Sequence, residues 1–334
     1  MDKRFSSIRD IARLAGVSIA TVSRVLNTPD KVSPQTCERV MRVIEQHRYI
    51  PNRSAVNLYS GDSRSIAFFV YDLSNPFYSN LVHCLNEIAV RHGYTLLVAD
   101  VGGKPEIEAH YLRYFLGIRI SSIILTLGSE SAALDFGAGR IPVVCIDRAP
   151  LASQPCYCIQ SDCETGTRLL LDELHALCHR RIGYVTGTPG FYSTGQRLES
   201  FRRNMLRLGL ELPEEYVFTG EFSTQCGVRA FDYFQSLPVP PTAVVTADDQ
   251  IARGFLMRAS ARGISVPGQV SVCGMDAVEP SAFYPPITSI QQNVRALAQA
   301  AFDCICRYDD APPPGTQSIS VSIFHGQTCA AAPE

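Results

Sequence analysis

Residues 8–27, IRDIARLAGVSIATVSRVLN, run on through TPDKVSPQTCERVMRVIEQHRYIPN to residue 52, and the whole stretch is punctuated as three short amphipathic helices. Ser7 can cap the first, with Asp10 three residues on as in a capping box. Ile8, Ile11, Ala12 and Ala15 then recur at one helical face, and Gly16 supplies a left-handed stop. Ser18 caps the second helix, which turns Val22, Val25 and Leu26 inward. Its other face carries Ile19, Ala20, Thr21, Ser23 and Arg24, short or polar groups around one long cation. Ser33-Pro34 is a cap followed by Pro at the first helical position, and the third helix buries Val40, Val43, Ile44 and Met41. Two helices across a Gly-containing turn fit a helix-turn-helix, whose second helix needs small side chains to approach base edges. The same pattern also fits a plain three-helix bundle with a solvated face.

The charge distribution bears on that choice. The chain has 334 residues and a formal net charge of -2, but residues 1–60 hold ten Lys or Arg against five acids, leaving the rest at -7. A basic head on an acidic body suits a polyanion partner. Hydrophobic residues make up 46%, enough for sizeable cores and against wholesale disorder. No apolar run approaches the ~18 residues of a membrane span. The N-terminal residues lack the pattern of an export signal. The twelve Cys follow no disulfide framework, and Cys156-x-Cys158 and Cys304-x-Cys306 lack the paired spacing of zinc sites. A reducing cytosol is expected, with no metal and no cofactor.

Behind the head, Pro51-Asn52 leads into NRSAVNLYSG, with Ala55 and Leu58 three apart. Eight or nine residues are fewer than the roughly 12–15 an isolated helix needs, so this is either a plain linker or a helix that orders only when docked. From Ile66 the pattern changes. Apolar β-rich runs at 66–70, 95–99, 122–126, 143–147, 181–185, 243–247 and 271–275 alternate with helical stretches at 77–92, 105–117, 164–179, 194–208, 225–236, 249–262 and 293–308. Such alternation predicts parallel sheets covered on both faces, and about 270 residues is too much for one sheet. An α/β core of two similar lobes is expected.

Ligands of such folds sit at the carboxyl ends of strands. Asp72, Asn75, Phe77 and Tyr78 follow the first strand, Asp147 and Arg148 end the fourth, and Asp276 follows the run ending in GM. Arg197 opens a helix after a loop with Phe191 and Tyr192. Aromatic faces, carboxylates and a guanidinium make a plausible pocket for a polar metabolite. Taken singly, Arg197 could merely pair with Glu199, and Asp147 could cap a turn.

The head, with its AGVSIATVSRVLN run, resembles the DNA-binding head of the lactose-repressor/galactose-repressor (LacI/GalR) family of bacterial transcriptional regulators. The body segments DLSNPFYSNL, IPVVCIDR, LCHRRIGYVTG, QRLESF, TADDQIARG, SVCGMD and PPITSIQQN match in order. The resemblance implies a DNA-binding domain at 1–50, a hinge helix at 51–61 and, from 62 to 334, a core with the fold of periplasmic sugar-binding proteins. It places 62–160 plus 291–320 in a head-proximal lobe, and 161–290 plus 321–334 in a distal one. By position, Ser18, Thr21 and Ser23 anchor the recognition helix on phosphates, and Ile19, Ala20 and Arg24 face bases. Asn52, Ala55 and Leu58 fall in the hinge, where the matching Leu wedges into the minor groove beside its twofold mate. In the core, Arg197 and Asp276 match the most consistent effector contacts. Tyr78, Asp147, Ser193, Phe222 and Asp248 match frequent ones.

Some positions depart from the family pattern. Val56 stands for a common Arg, Asp248 for Asn, Ser200 for Gly, Cys163 for Asn, Cys178 for Gly and Asn293 for Pro. Asp248 adds an anion and disfavours acidic effectors. Without apolar heptads after residue 324, a homodimer is expected rather than a coiled-coil tetramer. The resemblance therefore implies a repressor that binds double-stranded operator DNA, with affinity set by a sugar-like effector; a nucleobase or nucleoside co-repressor is the alternative. A solute-binding protein without DNA contact is disfavoured by the head. An enzyme is disfavoured because no triad, P-loop or G-x-G-x-x-G motif occurs, and the adjacent Cys178 and His179 do not face each other on a helix.

Overall fold

The computed structural model describes residues 7–50, 63–126, 141–149, 151, 155–278, 283–307 and 315–333. The chain divides into two compact units, Met1–Ser63 and Arg64–Glu334.

In the first unit, helices α1 (Ile8–Ala15), α2 (Ile19–Asn27) and α3 (Pro34–Gln46) surround a core of Ile11, Ala12, Ala15, Val22, Val25, Val40 and Ile44. The capping box forms at Ser7. Its hydroxyl accepts from the Asp10 amide at 3.2 Å, and the Asp10 carboxylate accepts from the Ser7 amide at 3.0 Å. An N-cap of this kind is worth ~1 kcal/mol. Gly16 takes φ +63°, a conformation costly to any residue with a Cβ, and lets the chain turn within three residues into α2. Ser18 and Ser33 cap α2 and α3 through the amides of Thr21 and Thr36. The expectation that Met41 is buried fails: it is 42% exposed, because Val40 and Ile44 already fill the contact with α1 and α2.

The second unit has two six-stranded sheets. The first runs β2 (Thr95–Asp100), β1 (Ser65–Val70), β3 (Ser122–Leu125), β4 (Val143–Ile146), β5 (Tyr157–Ser161) and β11 (Gln317–Ile319), all parallel. The second runs β7 (Val217–Phe218), β6 (Ile182–Val185), β8 (Ala243–Thr246), β9 (Ser271–Asp276), β10 (Thr288–Gln291) and β12 (Ser322–Phe324), parallel except for β12. The two orders are the same doubly wound pattern repeated. Helices α4 (Pro76–Arg91), α5 (Pro105–Gly117) and α10 (Val294–Cys306) cover the first sheet. Helices α6 (Cys163–Ala176), α7 (Tyr192–Arg207), α8 (Thr224–Gln235) and α9 (Asp249–Ala261) cover the second.

The two-lobed α/β expectation is met, and β5, β7, β10, β11 and β12 are additions to the strands read from sequence. They are short, and β10 (TSIQ) and β11 (QSI) carry too many polar residues for an apolar run to show. The chain passes from one sheet to the other three times, after β5, after β10 and between β11 and β12. Within the second lobe α8 and α9 touch backbone to backbone. A Cβ on Gly254 would sit 1.8 Å from the Thr224 carbonyl oxygen, so only Gly allows that approach.

Candidate functional site

On the head, the start of α2 is open to solvent. Ile19 is 44% exposed, Ser18, Ala20 and Arg24 are exposed, and Thr21 and Ser23 are half-buried. Val22 and Val25 anchor the opposite face in the core. The Ser18 hydroxyl bonds both the Thr21 amide at 3.1 Å and the Thr21 hydroxyl at 2.9 Å, fixing the first turn. Among the described residues no carboxylate pairs with Arg24, whereas Arg13 and Arg42 are paired with Asp10 and Glu38. A rigid helix end with short side chains and one uncommitted guanidinium has the shape and charge to enter a DNA groove. Asn52, Ala55 and Leu58 lie outside the described residues.

In the core, the strand order reverses between β1 and β3 in one sheet and between β6 and β8 in the other. The carboxyl ends of the central strands form the crevice where such folds bind ligands. Asp147 follows β4 and Asp276 ends β9, the corresponding strand of the other lobe. Both backbones are left-handed, with φ +51° and +143°. Arg197, 5% exposed in the second turn of α7, joins the lobes. One terminal nitrogen donates to the Ala247 carbonyl at 2.7 Å, and the other lies 3.6 Å from Asp147 Oδ2. Pairing of Arg197 with Glu199 is therefore not what the helix uses its guanidinium for.

Asp147 Oδ1 also accepts from the Ser161 amide at 3.4 Å. Gln292, at the second crossing between sheets, donates to Asp276 Oδ1 at 2.6 Å and accepts from the Ser161 hydroxyl. Asn75 caps α4 through the Phe77 amide, and its side-chain amide donates across the cleft to Asp248 Oδ2 at 3.3 Å. Tyr78 lies beside Asp147, Arg197 and Asp276, and burial raises its phenol well above the usual tyrosine range. Burial also raises Asp147 and Asp276, with the neighbouring Asp249 and Asp248 carboxylates adding to the latter. Asp248 is pushed up to about 7, by burial and by Asp249, and Asp249 to about 6 by burial.

A cavity of about 210 Å³ reaches this cluster, lined in part by Asp147, Ser161, Cys163, Tyr192, Ser193 and Ser200. The buried hydroxyls of Ser193 and Thr194 and the Nε of Arg197 find no partner among the described residues. Four rings close the rest of the crevice. Tyr71 stands 5.3 Å from Phe191, 6.1 Å from Tyr78 and 6.3 Å from Phe222, centroid to centroid.

Eight of the eleven core residues singled out from sequence thus converge: Asn75, Tyr78, Asp147, Ser193, Arg197, Phe222, Asp248 and Asp276. Phe77 packs edge-on to Tyr78 in the first lobe's core and lines only a small gap beside Asp249 and Asp276. Asp72 turns to its own loop, accepting from the Ser74 amide and hydroxyl. Arg148 needs correction. Its buried guanidinium is held by Glu108 of α5 and the Thr126 carbonyl, so a structural ion pair occupies it.

Tyr71, Ser161, Asp249 and Gln292 were not singled out from sequence. Tyr71 directly follows β1 and Asp249 adjoins Asp248, so the strand-end rule could have found both. Ser161 and Gln292 could be found only once the crossings between sheets were placed.

A helix-turn-helix head joined in one chain to a two-lobed ligand-binding-type core defines a DNA-binding transcriptional regulator. Residues 7–52 match the description "Bacterial regulatory proteins, lacI family", and residues 171–329 match "Periplasmic binding protein-like domain". The chain is 31% identical over 307 residues to the HTH-type transcriptional repressor PurR of Vibrio campbellii, covering 90% of this chain and 91% of that one. It is 30% identical over 292 residues to the repressor CytR of Escherichia coli K12, covering 86% and 85%. A lac repressor dimer bound to operator and the anti-inducer ONPF superposes with a TM-score of 0.84 at 27% identity, over 98% of this chain and 100% of that one. A CelR–cellobiose complex superposes with a TM-score of 0.70 at 26% identity, over 97% and 100%. The chain belongs to the lacI family of bacterial regulatory proteins. It is a DNA-binding transcriptional regulator of the repressor type, like these relatives, and not an enzyme. Among the described residues no helix is long and apolar enough to cross a membrane.

Proposed function

We propose that the protein is a cytoplasmic, homodimeric repressor. Its two heads grip a pseudo-palindromic operator, with a domain division at 1–50, 51–61 and 62–334. A small polar effector bound between the lobes sets the operator affinity, most simply a sugar or sugar derivative acting as inducer. The observation that carries this reading is the buried ion pair of Arg197 and Asp147 between the two sheets, with unpartnered hydroxyls beside it. Buried polar groups without partners are costly, and a ligand rich in hydroxyls satisfies them. The similar lac repressor dimer bound to operator and the similar CelR–cellobiose complex support the operator, dimer and sugar elements of the reading. A nucleobase or nucleoside co-repressor is the second reading, and the rings of Tyr71, Tyr78, Phe191 and Phe222 favour it as stacking surfaces.

In mechanism, a ligand that draws the lobes together around Arg197 changes how each protomer presents residues 51–61 to its mate. Coupling of ~1–3 kcal/mol alters operator affinity 5–150-fold. The test is gel retardation on genomic fragments, with and without sugars, glycosides and nucleosides, beside a thermal-shift series on the same ligands. A binder must change operator affinity, and Arg197→Ala must remove that response. If binding ligands leave operator affinity unchanged, or the response survives the substitution, the reading is wrong.

A further inference from the structure

The charges inside the crevice do not balance. Asp147, Asp248, Asp249 and Asp276 are all at least nine-tenths buried, and Arg197 is the one buried cation among the described residues that lies beside them. The other buried guanidinium, Arg148, is taken by Glu108. Asp147 has Arg197 as its counter-ion. Asp249 is satisfied by neutral donors, the Ser289 hydroxyl at 2.7 Å and the Ala277 amide at 2.8 Å, and it fits tightly over Gly274. That leaves Asp248 and Asp276. Asp248 has the Ile251 amide at 2.8 Å and a long bond from Asn75 at 3.3 Å; Asp276 has the Gln292 amide. Two carboxyl groups are therefore buried with neutral donors but without a positive charge of their own, so burial favours their protonated form, and a cation bound there takes the proton's place.

Two further features bear on what takes that place. Tyr71, Tyr78, Phe191 and Phe222 border the crevice, Tyr78 beside Asp276, and a ring face there attracts a cation. On the other side, the Ser193 hydroxyl lines the cavity that reaches Asp147, and it is 5% exposed and unpartnered. The Nε–H of Arg197 is a donor in the same state. That donor needs an acceptor, and a ligand hydroxyl can serve both groups.

We infer that the effector is a hydroxylated amine bound as its ammonium ion, of the amino-sugar type. Its nitrogen sits between Asp248 and Asp276 against the aromatic rings, and its hydroxyls meet Ser193 and Arg197. This rests on the reading of the crevice as the effector site and narrows it to one ligand class. An anionic ligand, such as a sugar acid or sugar phosphate, would oppose ionisation of both carboxyl groups and find Arg197 already paired with Asp147.

The test uses matched sets on the full-length protein near neutral pH: D-glucosamine, N-acetyl-D-glucosamine and D-glucose, then the same three forms of galactose, with D-galacturonate as the anion. Thermal-shift titration gives each affinity. The amine of at least one set binds tighter than its acetylated and parent sugars by about tenfold or more. In Asp248→Asn and Asp276→Asn most of that ratio disappears. Since the ratio is read within each variant, a general loss of stability does not mimic it. A neutral or acetylated sugar that binds as tightly as its amine overturns the inference, as does a panel in which no amine binds. The two failures separate cleanly. A neutral sugar that binds and alters operator affinity leaves the effector site standing and removes only its preference for cations. A ligand that binds without altering operator affinity defeats the reading of the crevice as a control site.

Discussion

Arg197 of the second lobe and Asp147 of the first form an ion pair at 3.6 Å, with both side chains more than nine-tenths buried. The two residues are fifty positions apart and belong to different lobes, Arg197 on α7 and Asp147 just after β4. Their contact makes the separation of the lobes a question of electrostatics. Opening the crevice would strip each charge of its partner unless water or a ligand took its place.

Removing the cation leaves Asp147 buried and uncompensated. Arg197→Ala is expected to lower core stability by roughly 3 kcal/mol or more, the usual cost of breaking a buried pair from one side. Arg197→Lys keeps the charge but gives up the two-pronged reach to Ala247 and Asp147, and should fall between. Chemical denaturation of both variants checks the order.

The crowded carboxylates make stability depend on pH. Asp248 is held at about 7 and Asp249 at about 6, against 3.8 for the ordinary group. Between those limits the unfolded chain has released protons that the folded core keeps. The contribution to stability is therefore full below about pH 4 and is lost as pH rises through about 6 to 7. Asp248→Asn keeps the helix cap, since Asn serves as well there. It should raise stability at pH 8, on the order of a few kcal/mol, and flatten the decline. Melting curves from pH 5 to about 8 on the wild type and variant decide the matter, and a wild type that gains stability across that window contradicts the argument.

On the head, Arg24 is exposed and free of carboxylate partners among the described residues. If it reads a base, Arg24→Ala costs ~1–3 kcal/mol on the operator and leaves the salt dependence of binding unchanged. Titrations at several salt concentrations test this. A drop of ~0.9 in the log–log slope, with equal loss on all sequences, would move Arg24 onto a phosphate.

Gly254 admits the Thr224 carbonyl into the space a side chain would fill. Gly254→Ala has to separate α8 from α9, and is expected to destabilise by ~2 kcal/mol or more, although Ala is otherwise the better helix former. A stable Gly254→Ala protein in urea denaturation refutes this account of the helix crossing.

Cys178 holds a left-handed backbone at φ +67° after α6, a conformation that favours Gly. A side chain there costs ~1–2 kcal/mol. Cys178→Gly should raise the melting temperature even though Gly loosens the unfolded chain.

What the amino-acid order determined by itself is local. The capping box at Ser7, the stop at Gly16, the Ser18 cap and the inward pair Val22 and Val25 are set by contacts within four residues, so periodicity and cap chemistry exposed them. The near-continuous apolar strands announced buried parallel sheets, and from those followed the rule that a site lies at strand ends; Asp147, Arg197 and Asp276 were found this way. Met41 and Arg148 escaped because their burial or partner depends on what another element brings. Val40 and Ile44 leave Met41 no room inside, and Glu108, forty residues away, claims Arg148. Tertiary structure alone decided the pairing of Arg197 with Asp147, the route through Ser161, Gln292 and Asp276, and the excess of buried carboxylate. These depend on three chain crossings and two short polar strands that no local pattern marks. Electrostatic pairing follows distance in space, and that distance is set only when both sheets have folded.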